Sequence, residues 1–131
     1  MDIISLIQQK YDGCCQLCEP LSEEMRTEAE DILPKELLEI LKISNGIKET
    51  MRLPDTGEVE AIESIIYSLE EIQSETEFYM SEYGGEGVVF AGDGAGGVYI
   101  MKPSGQIYHH EYSDLPEEHC ADSLWDYFAS V

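Results

Sequence analysis

Apolar residues at Ile3, Ile4, Leu6 and Ile7 recur at the spacing of one helical face, with Asp2 placed to cap the first turn and Asp12-Gly13 to end it. Residues 14–21 show no period and read as loop. Ser22 opens an acidic stretch that runs to Asp31, with Glu23 and Glu24 where a helix dipole favours carboxylates; the pattern leaves helix and loop both open. The clearest helix begins at Pro34, whose missing N–H suits a first turn. Leu37, Leu38, Ile40, Leu41 and Ile43 form its apolar face, and Asn45-Gly46 closes it. Residues 47–58, with Pro54, Asp55, Thr56 and Gly57, read as a turn. Residues 59–67 are rich in Ile and read as a strand. Ser68-x-x-Glu71 is a capping-box pattern, and Leu69, Ile72, Thr76, Tyr79, Met80 and Tyr83 follow at helical intervals until Gly84-Gly85.

Three further strands are predicted over residues 87–91, 97–101 and 106–112. Turns at Asp93-Gly94 and Ser104-Gly105 separate them, and Pro103 must sit at a strand end because it cannot donate to a ladder. Pro116 opens a last predicted helix with Ala121, Leu124, Trp125 and Phe128 on one face. Hairpins this tight cannot make parallel crossovers, so the order predicts an α+β fold with a mainly antiparallel sheet. A chain of 131 residues is the size of one domain, and the expectation is a single domain over residues 1–131, with 1–20 a candidate appendage.

Charge changes the picture more than composition does. Hydrophobic residues at 43% and charged residues at 27% are ordinary and argue against disorder, but the net charge is −21. Residues 53–131 carry seventeen Asp and Glu against Lys102 alone. Nucleic-acid backbones and anionic membrane surfaces need the opposite sign, so neither is an expected partner. Two readings of the acidic excess remain open: solubility through self-repulsion, and an electrostatic docking face for a basic partner. The N-terminal residues lack the features of a secretory signal, and no stretch approaches a membrane span, so the expected location is the cytoplasm.

Candidate chemistry is sparse. Cys15-x-x-Cys18 with His119 and Cys120 could supply four zinc ligands, but a second CxxC is missing and two adjacent ligands suit one tetrahedral site badly. Together with Cys14, these read better as reduced, half-buried structural thiols, and no metal or other cofactor is expected. The glycine-rich run Gly92 to Gly97 superficially resembles a phosphate loop, yet a strand follows it rather than a helix, so it reads as a hairpin loop. His109 and His110 are neighbours on a strand and should face opposite ways. No nucleophile elbow, Walker loop or zinc-protease motif is present, and the chain is expected not to be an enzyme. Tyr79, Tyr83, Tyr99, Tyr108 and Tyr112 fall in the acidic half, where they could anchor a protein partner or pack in the core.

Two segments together carry a family resemblance. Leu33-Pro34-Lys35-Glu36-Leu37-Leu38 through Asn45-Gly46 resembles the first helix motif of the SUKH superfamily, which includes a yeast cell-wall assembly regulator family and many bacterial immunity proteins. Val88-Val89-Phe90-Ala91, followed by Asp93-Gly94-Ala95-Gly96-Gly97-Val98-Tyr99, resembles its second motif, although Gly97 stands where relatives often carry Asp or Asn. The resemblance covers residues 20–130 and implies a mainly antiparallel curved sheet with helices packed around it. It also implies a protein that binds proteins, typically neutralising a cognate toxin, often a nuclease whose basic surface an acidic protein would cover. The alternative it leaves is a regulatory scaffold for an endogenous partner. The expected contact residues are Asp55, Glu58, Glu60, Tyr83, Glu86 and Asp93, which fall in loops and at element ends. Oligomeric state stays open.

Overall fold

Caps fix most of the helix starts. The structure, a computed structural model, describes residues 2–130. Asp2 accepts from the Ser5 amide at 2.7 Å and starts α1 (Ile3–Lys10). Ser22 accepts from the Met25 amide and settles the acidic stretch as helix α2 (Glu23–Ile32). Pro34 precedes α3 (Lys35–Ile43). Ser68 and Glu71 close the predicted capping box reciprocally at the start of α4 (Leu69–Tyr83), which Gly84 ends in a left-handed conformation. α3 ends at Ile43 with Ser44 as its cap, and just beyond it Asn45 Oδ1 accepts from the Leu69 amide at 2.8 Å and helps to start α4.

Among the described residues, seven strands make two antiparallel sheets. β1 (Cys15–Leu17), β2 (Ile47–Arg52) and β3 (Val59–Ile66) form one, in that order. β4 (Val88–Gly92), β5 (Val98–Met101), β6 (Ile107–His110) and β7 (Glu118–Ala121) form the other as a meander. The Tyr67 amide donates to the Phe90 carbonyl at 2.7 Å and brings the end of the first sheet against the edge of the second. α5 (Leu124–Ala129) closes the chain.

One main core joins the layers. Ile4 and Ile7 of α1, Leu37 and Leu41 of α3, Phe90 of β4, and Leu124 and Phe128 of α5 are buried in the same cluster. A smaller cluster places Tyr79 of α4 against Val89, Val98 and Ile100. β4 is therefore covered on both sides, and a register shift between Val89 and Ala91 breaks strict alternation so that Phe90 and Ala91 both enter the main core.

The structure corrects four expectations. β1 lies within the predicted loop, and three residues are too few to show a period. β2 occupies the first half of the predicted turn. Only Ile47 of it is buried, so the strand lacks an apolar signature. β7 replaces the first turns of the predicted last helix, which begins only at the Ser123 cap, and Trp125 is exposed rather than on the packed face. The cysteines are unpaired, with Cys14 and Cys120 exposed rather than half-buried.

Candidate functional site

The glycine-rich segment between β4 and β5 is a hairpin loop, as its sequence predicts, and Asp93 organises it. One Asp93 carboxylate oxygen accepts from the Ala95 and Gly97 amides at 2.7 and 2.9 Å, and the other meets His109 Nε2 at 2.6 Å. Partial burial, the largest influence, raises the Asp93 pKa. The His109 contact and the two amides together outweigh it and leave the carboxyl below its ordinary value. Gly97 is required here for space: a Cβ would run into the Asp93 carboxylate and stand 2.8 Å from the His110 carbonyl oxygen. A side chain at this position would force the loop or the facing His110 main chain to shift.

Where β3 and the loop meet one flank of α4, they enclose an open cleft of about 290 Å³. Its floor is main chain at Gly92, Gly94, Gly96 and Gly97. At Gly92 a Cβ would stand 2.7 Å from the Tyr67 hydroxyl, so the glycine lets that ring close over the strand. Its walls carry the carboxylates of Glu63 and Glu75 and the rings of Tyr67 and Tyr112. An adjoining depression lined by Glu70, Glu71 and Ser74 shares Tyr67 and Glu75 with it and extends the acidic surface along α4. Among the described residues no Lys or Arg lines either. Lys48 approaches one wall from β2 and donates to Ser64 Oγ at 3.2 Å.

Tyr112 is placed by an uncommon backbone. Its φ of 56° is left-handed, a conformation that L residues other than Asn and Asp rarely adopt. Its amide donates to His110 Nδ1 at 3.1 Å, its hydroxyl donates to Glu75 at 3.0 Å, and its ring stacks on Tyr83 at 5.3 Å. Burial first, and Glu75 second, hold the Tyr112 proton on well above the ordinary tyrosine pKa. The Tyr67 hydroxyl is raised by burial and then by Glu75, Glu71, Asp93 and Glu63. The cleft is thus a region of negative potential with neutral aromatic walls. Such a surface attracts cationic side chains and packs their aliphatic stems.

The six residues expected from sequence do not form one surface. Asp55 and Glu58 are exposed on the connection between β2 and β3, and Glu60 lies on β3 opposite Met51. Tyr83 and Glu86 line a separate depression beyond the end of α4, with His110 and Lys102. Lys102 there binds the Glu86 carbonyl at 2.7 Å and pairs with Glu117 at 2.7 Å. Asp93 lies in the loop that floors the cleft but does not line it, because its carboxylate is engaged by its own loop and by His109. Glu63, Glu75 and Tyr67 escape a reading of the sequence, because among so many acids nothing local separates them. Tyr112 stood out only as one of several tyrosines.

His109 and His110 face opposite ways, one towards Asp93 and the other into the α4 aromatic group against Tyr79 and Tyr83. Among the described residues no Ser, Thr or Cys side chain is hydrogen-bonded to a histidine, and no group of three His, Cys, Asp or Glu is placed to hold a metal ion. No described helix is long and apolar enough to cross a membrane.

No curated protein and no solved structure matches the chain. The sequence model of one family matches residues 23–130, from the first residue of α2 to the end of α5. The chain belongs to the SMI1 / KNR4 family (SUKH-1).

Proposed function

We propose that this protein is a non-catalytic, cytoplasmic immunity protein that binds and neutralises a cognate bacterial toxin domain with a basic, nuclease-like surface. The observation that carries the reading is the acidic, tyrosine-walled cleft between Glu63 and Glu75, in a chain of net charge −21. A nuclease presents cations to phosphate, and a carboxylate surface with aromatic anchors can occupy those cations instead. Long-range attraction would speed the encounter, and Tyr67 and Tyr112 would supply close contact. Asp55, Glu58, Glu60 and Glu86 would then contribute long-range steering charge from outside the cleft, Tyr83 would offer contact area at its separate depression, and Asp93 would hold its loop in shape.

The test is calorimetry against the toxin domain encoded immediately upstream, at low and high salt, with toxicity measured in parallel. Tight, salt-sensitive binding that abolishes toxicity is the expected result. Failure to bind at either salt would contradict this pairing and favour a scaffold for an endogenous partner.

A further inference from the structure

The other flank of α4 is chemically unlike the cleft. Ile72, Thr76 and Met80 succeed one another at i, i+4 and i+8, and with Ile32, Leu33 and Val88 they line an open groove of about 530 Å³ between α2 and α4. Leu33 and Ile72 are its buried floor, while Ile32 and Met80 stand 42% and 53% exposed at its lips. Two of its polar side chains, Thr76 and Gln73, are already engaged. Thr76 Oγ1 accepts from the Val89 amide at 2.9 Å, and Gln73 donates to Glu28 at 2.7 Å. Past Leu33 and Val88 the groove leads to a second depression edged by Pro34 and Pro103.

The edges of this trough are acidic. Glu77 lines the groove, Asp31 lines its continuation and Glu28 stands beside Gln73. Among the described residues no Lys or Arg lines either part. An apolar trough edged by carboxylates is complementary to a helix with apolar residues at i, i+3, i+4 and i+7 and cations beside them. Its length agrees, because Ile72 to Met80 spans about 12 Å, roughly two helical turns. A second copy would bring acidic edge against acidic edge, and a fatty acid would bring its carboxylate to the same charge.

We propose that this groove docks a basic amphipathic helix of a protein partner. The inference does not depend on the function proposed for the cleft. The test uses the full chain and three labelled helical peptides read by fluorescence anisotropy: one of Leu and Lys in amphipathic register, one of Leu and Glu, and one of Ala and Lys. Ile32→Gln with Met80→Gln removes apolar surface at two half-exposed positions, and Glu63→Gln with Glu75→Gln alters only the cleft. The Leu/Lys peptide should bind at least about tenfold more tightly than the other two, lose about tenfold in the groove variant, and stay within about twofold in the cleft variant. Equal affinity for the Ala/Lys and Leu/Lys peptides, or no change in the groove variant, would overturn the proposal. Amide-shift mapping on the unmodified chain gives a second readout. Shifts centred on Ile32, Ile72, Met80 and Val88 support the groove, and shifts confined to the cleft contradict it. Self-association that the groove variant abolishes would identify a second copy as the occupant and also overturn it.

Discussion

The two flanks of α4 share one helix and one buried seam, yet they present opposite chemistry. On one side Glu75 joins Glu63, Tyr67 and Tyr112 in a cleft with a main-chain floor, and Glu70 and Glu71 line the depression beside it. On the other, Ile72, Thr76 and Met80 join the end of α2 in an apolar groove. Between them Tyr79 is buried against β4 and β5. The difference teaches that one helix can serve the core and two surfaces at once, because successive residues step 100° round the axis and each flank recruits a different neighbour. The acidic flank meets a glycine loop and a strand end. The apolar flank meets another helix.

The largest expected effect comes from breaking the seam. Tyr79→Ala should cost about 3–5 kcal/mol in urea unfolding, by loss of buried area and creation of a cavity. It should disturb both flanks together. A cost near zero would mean that Tyr79 does not couple them.

A smaller effect should come from Asp93, which acts on the cleft alone. Asp93→Ala leaves the Ala95 and Gly97 amides without their acceptor and should cost about 1–3 kcal/mol, with the peptide affinity of the groove unchanged. The acid dependence has a definite sign. The folded pKa is depressed, so the Asp93 contribution is complete above the unfolded value of about 3.9 and is lost as pH falls through the lower folded value. Asp93→Asn can keep an acceptor for the amides while losing the ionisation. Stability measured from pH 5 downward should therefore fall less steeply in that variant than in the parent, and parallel curves would contradict the role given to the carboxylate.

The smallest effect is expected at the groove lips. Ile32→Gln and Met80→Gln should each change stability by less than about 1 kcal/mol, because both side chains are already half in water. A larger loss would show that the groove belongs to the core and is not a free surface.

How much of this was legible beforehand depended on how many contacts each segment makes locally. α3 and α4 announced themselves through an apolar period and through local caps at Pro34, Ser68 and Glu71. The β4–β5 hairpin was readable because Asp93-Gly94 and the flanking apolar runs meet turn and strand demands within one local segment, residues 88–101. β2 and β7 were not, because each buries a single side chain, Ile47 and Ala121, and so lacks an apolar alternation even though both pair with a strand next to them in sequence. The site was hidden for a different reason. Asp93 was chosen from its loop, but Glu63 on β3 and Glu75 on α4 come together only after the two sheets meet through Tyr67 and Phe90. Acidic residues are so numerous that charge could predict the character of the surface and not its address.

The central claim is that the Glu63–Glu75 cleft recruits a basic protein partner electrostatically. The most direct measurement is the association rate of the proposed basic partner domain with the parent protein and with Glu63→Gln/Glu75→Gln, at low and high ionic strength. The parent should associate about tenfold or more faster at low salt, and the variant should lose a large part of both the rate and the salt dependence. Identical rates and identical salt slopes in the two proteins would contradict the claim.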